Sequence, residues 1–488
     1  MNDFVLSLLL MGALSTSGSL PFWMTADQYG LMPAQNGGLA LIQAETQLDT
    51  TKTLQWKWGA SLAGNLDAGE TADFNLLVDE LYGTVRWKSL SLDLGMRHDP
   101  LDFYGSSPSM GSLSVTGGHV LSSGNARTMP GYMLNLHPVA VPWTGEHVWI
   151  QGSFGDFKTL DERFVPGALV HRTKGYLVFK LSKRLDISLG IDHAALWAGN
   201  TMWGKMPVTP ANYFRVLLGL PASLEGSEND RSNAIGDHRG SELLRVDWRG
   251  DGWRAALQHD APYDDGPGMR LKNFPDGVNT LWFGFDDKSR WVSDILYEFH
   301  YTRWQSGPIF NLPALDGCDN YFNNGEYRSG WTHFGRTIGT PLFFPLGTHA
   351  GTWTGKGVVE GVENNRVRAH HFALSGRIAG KAPYKLMLTY SQNYGTYVDP
   401  YLGDSGWNKP WGSVQETPLI QFSGAFTGEV PLGRLSLTYG LFVDRGALLP
   451  DGFGMTAGLR YVLTPGRCGS CRERRAFPEG PASSSSLL

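Results

Sequence analysis

The chain has 488 residues, of which 62 are glycine, 12% aromatic and 18% charged. No stretch approaches the roughly 20 consecutive apolar residues of a membrane-spanning helix, so the one membrane-spanning architecture open to it is a β-barrel. A formal net charge of -5 with scattered basic residues removes the electrostatic footprint of a nucleic-acid binder, and Cys318 with the pair Cys468 and Cys471 does not make a structural zinc site.

In chain order, residues 4–14 (FVLSLLLMGAL) have the length of a signal-peptide core, but Met1-Asn2-Asp3 before them carries no Lys or Arg. The competing reading makes residues 1–15 a first strand, with the signal sequence upstream of Met1. Residues 39–48 follow as a strand. In residues 54–66, Leu54, Trp56, Trp58, Ala60, Leu62 and Leu66 alternate with Gln55, Lys57, Ser61 and Asn65, one apolar face at period two. Comparable runs cover 76–88, 90–97, 147–157, 175–182, 185–193, 242–249, 253–260, 278–286 and 291–303. The series closes with 366–378, 384–394, 418–427, 435–444 and 455–463. Two short helices are expected: 210–220, where Phe214, Leu217 and Leu218 fall at helical spacing behind Pro210, and 161–172. Each reads equally as a plug in the lumen or as an ordered piece of surface loop.

The connections are unequal. Short ones lie at Lys88-Ser89, Lys183-Arg184, 250–252, 287–289, 380–382 and 430–433, and long ones at 98–146, 194–241, 261–277, 304–365 and 395–417. Outer-membrane barrels alternate in this way, with tight periplasmic turns and long extracellular loops. Parity then requires a hidden crossing within 98–146, for which GYMLNLH at 131–137 is the candidate. It also requires an outward strand before the inward one at Leu39, which makes residues 4–14 that strand. The expected fold is an all-β, transmembrane antiparallel barrel of about 18 strands with long extracellular loops and a few short helices, formed by residues 1–464. Such a barrel is too wide for side chains alone to fill. Residues 465–488 (PGRCGSCRERRAFPEGPASSSSLL) are Arg- and Ser-rich and read as a disordered tail foreign to the barrel.

Residues 319–345 (DNYFNNGEYRSGWTHFGRTIGTPLFFP) resemble a block of the Wzi capsule-assembly family in its Bacteroidota-type members. Residues 20–31 (LPFWMTADQYGL), 124–132 (GNARTMPGY) and 365–394, with RVRAHHFALSGRI and YKLMLTYSQNYG, agree with it in order. The resemblance implies an eighteen-stranded barrel of the bacterial outer membrane that is lectin-like, has no catalysis and no cofactor, and helps assemble or retain capsular polysaccharide. It implies as partners that polysaccharide, outer-membrane lipid and, during biogenesis, the barrel assembly machinery. A closed barrel leaves no strand edge to satisfy, which favours a monomer. One departure is that the chain continues past Leu463, where barrels of this class finish on a strand with a terminal aromatic.

Sugar recognition needs flat aromatic faces and planar polar groups. Tyr321, Asn323, Asn324, Tyr327, Arg328, Trp331 and Arg336 share one connection, and Arg127 adds a cation. Trp197, Trp203, Trp353, Trp407 and Trp411 lie on neighbouring ones, where an interfacial girdle is the competing role. Glu80, Arg86 and Arg97 are expected to form a charge network in the lumen. No GxSxG, HExxH or P-loop is present. His98, Asp99 and Asp102 read as turn chemistry, and His370 and His371 would face opposite sides of a strand, so no metal site and no enzyme is expected. The rival reading is a porin-like channel for saccharides or small solutes, decided by whether the 304–365 connection closes the lumen. A soluble carbohydrate enzyme is the third, excluded by an apolar band on the outer wall.

Overall fold

The computed structural model describes residues 4–69, 72–99, 108–117, 119–223, 226–264, 268–311, 317–348 and 361–463. Asp102, Trp353 and the 465–488 tail lie outside them. Eighteen strands form one antiparallel sheet closed on itself. The first six are β1 (Phe4–Ser15), β2 (Gly37–Thr46), β3 (Leu54–Asp67), β4 (Asp73–Trp87), β5 (Leu90–Met96) and β6 (Pro130–Ala140). Next come β7 (Val148–Lys158), β8 (Leu169–Lys180), β9 (Leu185–Trp197), β10 (Asp237–Arg249), β11 (Trp253–Tyr263) and β12 (Gly277–Phe285). The last six are β13 (Asp294–Tyr301), β14 (Val367–Ile378), β15 (Ala382–Asn393), β16 (Leu419–Leu432), β17 (Leu435–Gly446) and β18 (Gly452–Leu463). Closure runs through β1, which pairs with β2 and with β18, Leu6 opposite Leu463 and Ser15 opposite Gly454. Residues 4–14 are therefore wall, and 131–137 are the hidden crossing, β6.

Side chains alternate along each strand. On β3, Trp56, Trp58, Leu62 and Leu66 are exposed while Lys57, Ser61 and Asn65 are buried toward the lumen, which is the face reversal of an outer-membrane barrel. Leu189, Leu244, Leu281, Leu441 and Leu459 continue the exposed apolar band, and exposed Trp56, Trp87 and Trp248 edge it near the short turns. On β4 a bulge sets Glu80 opposite Ser61 but Val78 opposite Leu62. The extra residue, Asp79, turns into the lumen and accepts from Ser61 Oγ at 2.9 Å.

Loops enter the lumen. The described residues of loops 16–36, 97–129 and 302–366 pack inward, where Trp23, Met24, Leu31, Met110, Leu113, Leu121, Tyr321, Phe322, Trp331 and Phe343 form an apolar core. Inward wall residues such as Ala13, Leu196 and Ala373 complete it. The short helices α1 (Phe22–Thr25) and α2 (Pro108–Leu113) belong to this plug. Its polar groups are met by the wall, as buried groups must be. Glu298 on β13 accepts from Ser114 Oγ at 2.6 Å and Val115 N at 2.8 Å, and Asp260 on β11 accepts from Val120 N at 2.7 Å. Asp444 on β17 accepts from Phe22 N at 2.7 Å.

One helix expectation holds and one needs correction. Residues 210–220 form the helix α3 (Pro210–Leu218), and it packs with Ala195 and Trp197 apart from the lumenal core, the surface-loop alternative of the two. Residues 161–172 do not form a helix. Pro166 and Gly167, the latter at φ 76°, interrupt the segment, and from Leu169 the chain pairs with both β7 and β9 as β8.

Candidate functional site

The 302–366 loop is organised around a tight hairpin. Thr332–His333 pairs with Arg336–Thr337, and the two turn residues, Phe334 and Gly335, have φ of 50° and 71°, the signature of a type I′ turn. The turn pushes Phe334 to the surface, where the Arg127 guanidinium lies 3.9 Å over its ring. Behind the hairpin, Trp331 is fully buried and its Nε1 donates to Leu121 O at 2.8 Å. Gly330, at φ 62°, is held so close that an added Cβ would meet Phe322 O at 2.2 Å.

The residues named from sequence divide into two groups. Tyr321, Tyr327 and Trp331 have buried rings. Tyr321 Oη donates to Asp276 at 3.0 Å, and Tyr327 Oη donates to Ala198 O at 3.1 Å. Burial pushes the Asp276 carboxyl up to about 7. Asn323 bonds both ways with the Val362 backbone at 2.8 Å, and Arg336 donates to Thr25 O at 3.1 Å. These five hold the loop's shape. Arg127, Asn324 and Arg328 are half-buried, and Asn324 Nδ2 donates to Asp237 at 3.2 Å. Asn324 Oδ1 receives the N–H groups of Glu326 and Tyr327, and Arg328 lies 4.7 Å over the Phe164 ring. Burial lowers the pKa of Arg127, and its buried Nε has no hydrogen-bond partner among the described residues.

A second surface lies on loop 394–418. Trp407 and Trp411 are 40% and 46% exposed. Phe310 stacks on Trp407 at 5.8 Å and 22°, while Trp304 meets Trp411 edge-on at 5.2 Å. Beneath them Glu416 binds Arg303 at 2.6 Å and Arg366 at 2.7 Å. Arg303 and Arg366 each lie 3.8 Å over a tyrosine ring, Tyr394 and Tyr397. Burial raises the Glu416 carboxyl, but the two guanidinium groups outweigh it and hold its pKa below the ordinary value. The result is two partly exposed indoles on a braced bed. Trp407 and Trp411 were legible as aromatic loop residues; Arg303 and Glu416, 113 positions apart, were not.

The lumenal charges pair differently from expectation. Arg97 pairs with Asp93 rather than Glu80, and Arg86 donates to Lys88 O at the short turn at 3.0 Å. Glu80 accepts from His98 N at 2.9 Å, and His98 Nε2 lies 2.9 Å from Asp79. Among the described residues, Asp79, Glu80 and His98 have ligand atoms within 4.8 Å of one another and could hold a metal. The Tyr29 ring packs on His98 at 3.5 Å, and Thr128 donates to Asp79 O, so the cluster clasps two plug loops to the wall. Asp99 binds Arg172 and Lys174. His370 faces out toward Tyr297 Oη, while His371 faces in and donates to Leu113 O.

No protein-family model and no curated protein matches the chain. Its fold resembles that of Wzi. Wzi of Escherichia coli is described as an outer membrane protein involved in group 1 capsule assembly and a carbohydrate-binding β-barrel. The likeness to Wzi has a TM-score of 0.55 at 12% identity and covers 93% of this chain and 83% of Wzi. The outer membrane protein OpdK of Pseudomonas aeruginosa matches with a TM-score of 0.48 at 11% identity, over 95% of this chain and 99% of OpdK. At these identities the likeness is one of fold.

Proposed function

We propose that the protein is a lectin-like barrel of the bacterial outer membrane that helps assemble or retain capsular polysaccharide at the cell surface. The observation that carries this is the seating of loop 302–366 with two others inside the wall. Loops packed against the inner wall narrow the path that a solute channel needs, which weighs against the porin-like reading. The loop end offers sugar chemistry instead. The faces of Trp407 and Trp411 suit the apolar side of sugar rings, and Arg127, Asn324 and Arg328 suit hydroxyls and carboxylates. In this reading Tyr321, Asn323, Tyr327, Trp331 and Arg336 position the surface. The carbohydrate-binding barrel of similar fold adds support. No step in this function breaks a covalent bond, so no cofactor is called for.

The test is capsule retention in a deletion strain of the source organism, comparing cell-bound with shed polysaccharide. We expect deletion to shed capsule, wild-type protein to restore it, and a folded W407A/W411A/R127A variant to restore it poorly. Capsule that stays on the deleted cells contradicts the proposal.

A further inference from the structure

We infer that the helix-bearing part of loop 198–236 folds back over the outer wall and seats the helix α3 in the outer leaflet of the membrane, as an interfacial collar on one side of the barrel. Strand parity places the loop outside. On β9, Asp192, Ala194 and Leu196 point into the lumen, so Leu189, Ile191, His193, Ala195 and Trp197 point out. Ala195 and Trp197 pack with Met206, Val216, Ala222 and Ile235 in a cluster separate from the lumenal core. The Tyr213 ring lies 5.7 Å from Trp197 and 5.9 Å from His171, another outward residue.

The loop is built to stay there. Asp156, outward on β7, accepts from Tyr213 Oη at 2.5 Å, from Tyr132 Oη, and from His171 Nδ1 at 3.0 Å. The helix is defined at both ends: Thr209 caps Asn212 N at its start, and Gly219 closes it at φ 60°.

Its other face is apolar too. Phe214 and Leu218, one turn apart, are 62% and 67% exposed, and Val208 and Leu220, which flank the helix in the chain, are also exposed. Water would leave this second stripe without a partner. The stripe stands above the exposed band formed by Leu177, Leu189 and Ile191 on the same strands, so the surface continuous with it is lipid, and the occupant is acyl chain. A helix with one face on protein and one in lipid lies in the plane of the interface.

The test uses nitroxide labels on full-length protein in phosphatidylcholine and phosphatidylglycerol vesicles, in preparations where a label at Leu189→Cys reads lipid. Labels at Phe214→Cys and, separately, Leu218→Cys are expected to collide more with oxygen than with a water-soluble nickel complex. A label at Trp407→Cys should show the reverse. Water-like collision at 214 and 218 overturns the inference, and so does spin–spin broadening between copies, which would make the occupant a second barrel. Two labelled positions keep the test decisive should one variant fail to fold.

Discussion

Removing the Trp331 side chain should open the plug without breaking the barrel. The ring is fully buried among loop residues and its Nε1 donates to Leu121 O at 2.8 Å, while the wall strands pair independently of it. Truncating a buried tryptophan to alanine costs about 3–5 kcal/mol, and the carbonyl of Leu121 also loses its donor. If the plug opens as a sub-global unit, a cost of about 3 kcal/mol raises its open population more than a hundredfold. In planar bilayers W331A should show frequent conducting events that wild type lacks, and loop 302–366 should become protease-sensitive. The control is Phe334→Ala at the exposed tip of the same hairpin, expected to leave both readouts unchanged. A W331A barrel that still shows heat-modifiable migration but conducts and resists protease like wild type would refute the reasoning.

Gly330→Ala should act like W331A, because the positive φ and the 2.2 Å approach to Phe322 O forbid a Cβ; bilayer conductance checks it. Glu416→Ala should free loop 394–418 at a cost of about 3–5 kcal/mol, since it strands two guanidinium groups, seen as tryptic cleavage near Arg303 or Lys409. Burial, then neighbouring Asp230, raises the Glu326 carboxyl to about 7. The folded protein therefore holds that proton longer than the unfolded chain does, and stability falls as pH rises from the ordinary value of 4.5 through about 7. Protection factors of the amides of residues 227–236, their exchange rates divided by the intrinsic rate at each pH, should accordingly fall as pH rises across that window, and Glu326→Gln should flatten that fall.

The wall was legible because membrane barrels impose period two and topological parity at once. Residues 4–14 resemble a leader in composition, yet the need for an outward strand before Leu39 places them in the wall, and they pair with β18 to close it. The 161–172 segment misled because it ends in Leu169, Val170 and His171, which two neighbouring strands capture. The arrangement of the candidate residues was half legible. Aromatic and amide residues in loop 302–366 announce a built structure, but the sequence does not distinguish a ring offered to a sugar from one offered to a plug, and Trp331 is the second kind. The Arg303–Glu416–Arg366 brace joins two connections, and the outward turn of loop 198–236 depends on which face of β9 meets lipid. Neither is written in local pattern.

The central claim is that the loop end of this barrel binds surface polysaccharide, and the most direct measurement is calorimetric titration of the purified, detergent-solubilised protein with capsular polysaccharide from its own source strain. The account predicts saturable binding that weakens about tenfold or more in W407A/W411A, with the barrel's thermal unfolding unchanged. Absence of binding by folded wild-type protein, or undiminished binding by the double variant, would contradict it.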